Sequence, residues 1–298
     1  MISILIPIYA FNAVPLVKAL HKQCISSQIT FEILAQDDAS NSNFNIENAA
    51  INHLTHCSFV TLEKNVGHRA NRNILASKAK YDYLLFIDGD STIISDNYIQ
   101  NYLMNLNSFD VIYGGRVHPA ICPSDNQNLR WQYGKFIEDK LAKERMVKPF
   151  PNLLFNNTVI KKKVFDAVKF DTYFNTYGHD DTLLSYQLYL TNVSVLHVDN
   201  PIKHEDIDTN TAYLNKMKQS LTTLYLLYKE EKISITYSKL LQVIHFLNTY
   251  KLSYIISKIY LLLEPKISAH LEGKHPNLWV YNIFRIGFLC SKCTEKES

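Results

Sequence analysis

Glycine is scarce in this 298-residue chain, with 8 residues, and proline scarcely commoner, with 9. Both counts exclude collagen-like and linker-like low complexity, which need these residues in quantity. Charge is sparse too: 20% of residues are Asp, Glu, Lys or Arg, and the formal net charge is +3. A dedicated nucleic-acid binder carries a far larger basic excess, so no nucleic-acid partner is expected. Long hydrophobic runs are also missing. No stretch of about 20 residues is apolar and free of charge, which argues against a spanning helix. The opening run MISILIPIYA lacks a basic lead and is broken by Pro7, so it reads as a strand and not as a secretion signal.

Cysteines number five, an odd count scattered along the chain, which fits the reducing cytosol. Cys290 and Cys293 make half of a zinc motif, and His53, His56 and Cys57 are equally incomplete. Structural zinc needs four ligands, so neither group is expected to hold metal.

What the chain has is a large apolar fraction, 47%, enough for one large α/β domain or a smaller one with an appendage. Residues 1–210 carry 19 Lys and Arg against 22 Asp and Glu, whereas residues 211–298 carry 12 against 6. An asymmetry of this kind points to a charged partner or a membrane surface for the second part.

Up to about residue 206, strand-like and helix-like patterns alternate, which is the signature of βαβ units. Strands are expected at 2–8, 31–36, 59–62, 83–87, 111–117, 156–160 and 193–198. Helices are expected at 14–26, 46–54, 70–80, 95–106 and 180–190, with a helix and a mobile loop within 119–150. Helix-forming segments rich in Tyr, Leu and Lys continue from 210 to the end. The expected organisation is a catalytic domain over 1–208 and a helical region over 209–298.

Acidic turns follow predicted strands at Asp37-Asp38, at Asp88-Gly89-Asp90 and, after a looser connection, at Asp180-Asp181. Aspartate is a common turn and cap residue, so one such turn carries little weight. Three of them at strand ends point to a site for a cation, a sugar or both, because open α/β sheets bind ligands there. Asp88 and Asp90 flank a glycine that lets backbone approach a ligand, and two carboxylates at that spacing suit a hard divalent cation.

Taken in order, these pieces resemble glycosyltransferase family 2, the inverting family with the GT-A fold. The resemblance rests on Ile4-Leu5-Ile6-Pro7-Ile8-Tyr9, on Glu32 to Ser40 with its acidic turn, and on Asn65-Val66-Gly67 followed by Arg72-Asn73. It continues through Phe86-Ile87-Asp88-Gly89-Asp90, Asn156-Asn157, Phe170-Asp171, Tyr177-Gly178-His179-Asp180-Asp181 and a late His204 in Lys203-His204-Glu205-Asp206. The chain departs from the family pattern in having Asp180 where Glu is usual, Ser91 after the DxD, and Ala39 where Gly is common.

The resemblance implies a mixed α/β GT-A sheet flanked by helices, with a C-terminal helical extension, and transfer from a nucleotide-diphosphate sugar, preferentially a UDP-sugar, to a hydroxyl. Pro7 and Tyr9 would line the base pocket, and Asp38 with Asp37 would accept hydrogen bonds from the base. Arg72 would face the diphosphate, Asp88 and Gly89 the ribose or sugar, and Asp90 a divalent cation, Mn²⁺ or Mg²⁺. His204 would be a further metal ligand. Asp181 would be the base, with Asp180 orienting substrate. Residues 119–155 and those around Phe174 to Tyr177 would choose the acceptor, a glycan or lipid-linked glycan in cell-surface polysaccharide synthesis.

Two other readings compete. A nucleotidyltransferase needs a Gly-rich phosphate loop and a Lys after the first strand, and Tyr9-Ala10-Phe11-Asn12 supplies neither. An inactive sugar-nucleotide-binding module would be expected to lose the DxD or the base. In the C-terminal region, Lys239, Lys251 and Lys258 sit among Leu, Ile and Tyr, a composition suited to lie against an anionic leaflet at the cytoplasmic face or, with the lysines solvated, to pack on the catalytic domain or a second copy.

Overall fold

Short apolar runs separated by amphipathic segments build two sheets, described in a computed structural model for residues 1–173, 176–204 and 207–295. The readings that fall on Phe174, Glu205 and Asp206 lie outside the described residues. The chain divides into two compact units. One comprises Met1–His118, Asp139–Tyr173 and Gln187–Asp206, and the other Pro119–Glu138, Phe174–Tyr186 and Ile207–Ser298.

The first unit holds strands β1 (Ile2–Ile8), β2 (Phe31–Asp37), β3 (Cys57–Thr61), β4 (Tyr83–Ile87), β5 (Ser91–Ile93), β6 (Val111–Tyr113), β7 (Arg116–Val117), β8 (Asn157–Lys161), β9 (Val195–His197) and β10 (Ile202–His204). Seven form a sheet in the order β3-β2-β1-β4-β8-β6-β9. β1 runs parallel to β2 and β4, whereas β8 is antiparallel to β4 and β6. Strands covered on both faces read as near-continuous apolar runs, and β1 and β4 do so, broken only by Ser3. Pro7 is tolerated in a central strand because the ladder with β4 has ended at Leu5. Helices Val14–Ser26 and Tyr98–Leu103 add Leu16, Val17, Leu20, Tyr98 and Tyr102 to the same core.

The stretch 111–117, expected as one strand, is two. Arg145 donates to the carbonyl of Gly114, and Asn157 to that of Gly115, so the chain leaves the large sheet there. β7 instead joins a second sheet of order β5-β10-β7. The expected helix over 46–54 is an α-helix at Phe44–Asn48 followed by a 3₁₀ turn at Ala49–His53. In the 95–106 stretch the helix is confined to Tyr98–Leu103.

His197, at the end of β9, is buried with its Nε2 2.9 Å from the Pro149 carbonyl. Arg145 Nε donates to Nδ1 at 3.2 Å, so the ring is neutral and carries its proton on Nε2. Burial lowers its pKa from 6.5 to about 4; the Pro149 bond opposes this and the Arg145 charge adds to it. Between those values the unfolded chain takes up a proton that the native ring refuses. Stability should therefore fall as pH drops from about 6.5 to about 4, by about 3 kcal/mol in all. Urea midpoints from about pH 7 to about pH 4.5 check this, since His197→Gln should flatten the dependence. An equally steep variant would place the acid lability elsewhere.

The second unit is helical and includes Asn128–Tyr133, Asn210–Lys229, Lys239–Thr249, Leu252–Glu272 and Leu278–Thr294. Its core joins Leu214, Leu221 and Leu224 to Tyr260, Tyr281 and Phe284.

Candidate functional site

β2 and β3 lie on one side of β1 and β4 on the other, so the direction of chain crossover reverses between β1 and β4. In open α/β sheets a binding crevice opens outside the carboxyl ends of the strands at such a reversal. The segments leaving β1, β2 and β4 carry Tyr9, Asp37-Asp38 and Asp88-Gly89-Asp90. Tyr9 is 64% exposed, which removes core packing as its role, and Pro7 is half-buried beside it.

The two aspartates after β2 have different duties. Asp37 is fully buried, and its oxygens accept from Ser40 N at 2.9 Å, Ser40 Oγ at 2.7 Å and Asn45 Nδ2 at 3.0 Å. It holds its own turn together. Asp38 accepts from the amides of Val66 at 2.8 Å and Gly67 at 2.9 Å, while Asn65 Nδ2 donates to its carbonyl. A carboxylate offers about four acceptor positions, so Asp38 keeps capacity that Asp37 has largely spent. The Asp38 clamp fixes the loop that opens helix His68–Lys78, from which Arg72 projects.

Arg72 Nη2 pairs with Asp88 Oδ1 at 2.6 Å, and its guanidinium lies over the Phe170 ring at 5.5 Å. Asn73 holds the Phe170 backbone: its Nδ2 donates to the Phe170 carbonyl at 2.9 Å, and its Oδ1 accepts from the Phe170 amide at 3.0 Å. The arginine is therefore oriented from below by an aromatic face and from the side by a carboxylate.

Gly89 leaves little room for a side chain. A Cβ there would stand 3.0 Å from Ile8 Cγ1 and 3.1 Å from the Pro7 carbonyl, which accepts from the Gly89 amide. This close approach pins the acidic turn to the end of β1.

His204 reaches the same turn through the small sheet, where the antiparallel register of β10 and β5 sets it opposite Ser91. Its Nδ1 lies 3.6 Å from Asp90 Oδ2. His118, buried and bonded through Nδ1 to Asp139 at 2.6 Å, faces it with ring centroids 6.3 Å apart. His118 and Asp139 were not singled out in the sequence, because nothing in the spacing of 118, 139 and 204 signals proximity. Among the described residues no three His, Cys, Asp or Glu side chains converge as a complete metal cluster.

Asp180 and Asp181 belong to the other unit and start helix Asp180–Leu190. Gly178 at φ +89° and His179 at φ +58° turn the chain into that helix. A side chain at Gly178 would strike Ser220, so the left-handed turn is pressed onto helix Asn210–Lys229. Thr223 Oγ1 donates to the Tyr177 carbonyl at 2.9 Å and shares a hydroxyl–hydroxyl hydrogen bond with Thr176 Oγ1 at 2.6 Å, securing the approach to the turn. The two carboxylates stand in the first turn, where the helix dipole favours their ionised forms.

Comparison with known proteins bears on the fold and the family. No curated protein matches the sequence. Among solved structures, residues 1–349 of S. aureus TarS in complex with UDP-GlcNAc align at TM-score 0.52 and 13% identity, covering 97% of this chain and 89% of that chain. Against the longer S. aureus TarS chain the match spans 39% of its length and 76% of this chain, at TM-score 0.54 and 17% identity. The mannosyltransferase PcManGT from Pyrobaculum calidifontis, in complex with GDP-Man and Mn²⁺, gives TM-score 0.56 at 10% identity, covering 98% and 86%. At such identities the likeness establishes the GT-A fold. The model of the family described as "Glycosyl transferase family 2" matches residues 3–169, more than half of the sequence. The chain belongs to glycosyl transferase family 2.

Proposed function

We propose that this glycosyltransferase moves a sugar from a nucleoside-diphosphate donor, a UDP-hexose or UDP-N-acetylhexosamine, to a glycan hydroxyl with inversion at the anomeric carbon. One observation carries the reading: the carboxyl edge at the β1–β4 reversal holds a buried carboxylate bonded to two backbone amides, an oriented arginine and an acidic turn beside a histidine. Asp38 would use its remaining acceptor capacity on the base, with Tyr9 and Pro7 as walls. Asp37 would contribute by holding the turn. Arg72 would meet the diphosphate, sharing Asp88 with the ribose or sugar across the close-packed Gly89.

Asp90 and His204 offer a carboxylate and an imidazole within 3.6 Å, a donor pair that suits Mn²⁺ or Mg²⁺ if diphosphate and water complete the shell. A cation held there would neutralise charge growing on the leaving diphosphate. Asp181 would take the acceptor hydroxyl proton as the new C–O bond forms, while Asp180 orients the substrate. The bond from the anomeric carbon to the diphosphate breaks in the same displacement, and its electron pair leaves with the nucleotide.

Incubation with UDP-GlcNAc, UDP-glucose or GDP-mannose and Mn²⁺, without acceptor, should release UDP or GDP slowly as water substitutes for the hydroxyl. Pyrophosphate release would indicate nucleotidyl transfer instead. Binding without any turnover, with or without glycan acceptors, would indicate an inactive sugar-nucleotide module.

The helical unit supports a further part of this reading, placement at the cytoplasmic face of a membrane that carries a lipid-linked acceptor. No helix among the described residues is long and apolar enough to cross a membrane. Helix Leu252–Glu272 nevertheless exposes Tyr254, Ile255, Ile259 and Leu262, the last of them 80% accessible, next to exposed Lys258 and Lys266. An apolar face fringed by lysines complements an anionic bilayer surface, at about 1 kcal/mol for each basic residue near it. The protein should float with phosphatidylserine vesicles at low salt and be released at high salt, and Ile259→Glu with Leu262→Glu should abolish flotation. Failure of the unaltered protein to float at low salt would reject membrane placement, and self-association in its place would assign the face to a second copy.

A further inference from the structure

Asn156 and Asn157 are neighbours in sequence with opposite fates. Asn157 is fully satisfied: its Oδ1 accepts from Tyr98 at 2.6 Å and Tyr102 at 2.7 Å, and its Nδ2 donates to the carbonyls of Gly115 at 2.7 Å and Asn200 at 3.0 Å. Asn156 is 5% exposed, and among the described residues neither its Oδ1 nor its Nδ2 has a hydrogen-bond partner. Buried amides are rarely left unmatched, and one that is demands an explanation. Its place supplies one. The Asn156 carbonyl accepts from the Asp88 amide at 3.4 Å, which puts the residue across from the first carboxylate of the acidic turn. Ser91, which follows the turn in sequence, is also buried with its Oγ unmatched among the described residues. Two buried polar residues whose side chains have no partner among the described residues thus adjoin Asp88-Gly89-Asp90, one through its backbone and one in sequence.

We propose that Asn156 is a sugar-binding residue, whose amide takes its hydrogen bonds from hydroxyls of the transferred sugar. This rests on reading the turn as the donor site. An amide both donates and accepts, so it can engage two neighbouring hydroxyls of a pyranose at once, whereas a carboxylate can only accept. Its polar atoms are covered in the free chain, so the sugar has to displace what covers them. With the base and diphosphate assigned to Asp38 and Arg72 in the proposed function, the transferred sugar is the part of the donor left for Asn156. The residue should therefore tell a sugar nucleotide from the bare nucleotide.

The test compares Asn156→Leu with the unaltered protein in thermal melts and in titrations with UDP, UDP-GlcNAc, GDP and GDP-mannose, all with Mn²⁺. Leucine has nearly the shape of asparagine and gives up no hydrogen bond the free protein makes, so the variant should melt at or above the unaltered protein. Kd for the bare nucleotide should stay within about twofold, while Kd for the matching sugar nucleotide should rise about tenfold. Asn156→Ala should give the same split of affinities and covers the case in which leucine does not fit. Two results would overturn the proposal: sugar-nucleotide affinity unchanged in both variants, or equal weakening of bare nucleotide and sugar nucleotide. If the unaltered protein binds none of the four ligands, the donor-site reading falls and this one with it; binding that keeps its sugar increment in the variants sinks Asn156 alone.

Discussion

Mn²⁺-dependent transfer should fall by about a hundredfold or more when Asp90 is replaced by Asn, because a bound cation contributes several kcal/mol to charge stabilisation on the leaving group. Asparagine keeps the shape of the side chain and removes its charge. Asp90 is about three-quarters buried at a strand end, and the turn is held by Gly89 and the Asp88 backbone, so the fold should survive. The loss should appear as a shift of the Mn²⁺ dependence to higher concentration, with thermal unfolding in the absence of metal little changed. Unchanged turnover at limiting Mn²⁺ would remove Asp90 from the metal site and leave the Asp90–His204 pair a structural contact.

Asp181→Asn should lose transfer by about 10²- to 10⁴-fold, the usual worth of a general base, while titrations with donor stay within error of the unaltered protein. The residue opens its helix next to Asp180, and adjacent positions on a helix point about 100° apart, so only one of the two can address a given hydroxyl. Asp180→Asn should be the milder change, raising KM for the acceptor more than it lowers kcat. If Asp180→Asn is the dead variant and Asp181→Asn turns over, the two roles are exchanged. Gly178 and its seat on Ser220 explain why this pair has a fixed approach at all, which a reading of residue types alone does not reveal.

Sequence patterns served best where secondary structure is long and periodic. β1 and β4 are apolar runs broken only by Ser3, and the acidic turns stand at the ends of β2 and β4. What escaped was pairing over distance. β5, β7 and β10 have two or three residues each, too few for any periodicity to register, yet they bring His204 to the acidic turn. Arg72 and Asp88 read as separate contacts, to diphosphate and to sugar, but in the fold they are an ion pair. Asp37 and Asp38 look equivalent as letters, and only the bonds from Ser40, Asn45, Val66 and Gly67 tell them apart. Asn156 and Asn157 differ in the same way, because one side of the chain meets Tyr98 and Tyr102 and the other does not.

The order β5-β10-β7 also bears on how the protein is made. The middle strand of that small sheet is the last of the three to be synthesised, so β5 and β7 have nothing to pair with in it until residue 204 has left the ribosome. The large sheet is under no such delay at its centre, where β1, β2 and β4 all lie within the first 87 residues. A nascent chain can therefore form the edge at the ends of β1, β2 and β4 early and carry the acidic turn for more than a hundred residues before its histidine arrives. Chains stalled or cleaved before β10 would hold Asp90 without His204, so the pair comes together only once synthesis of this unit is almost complete.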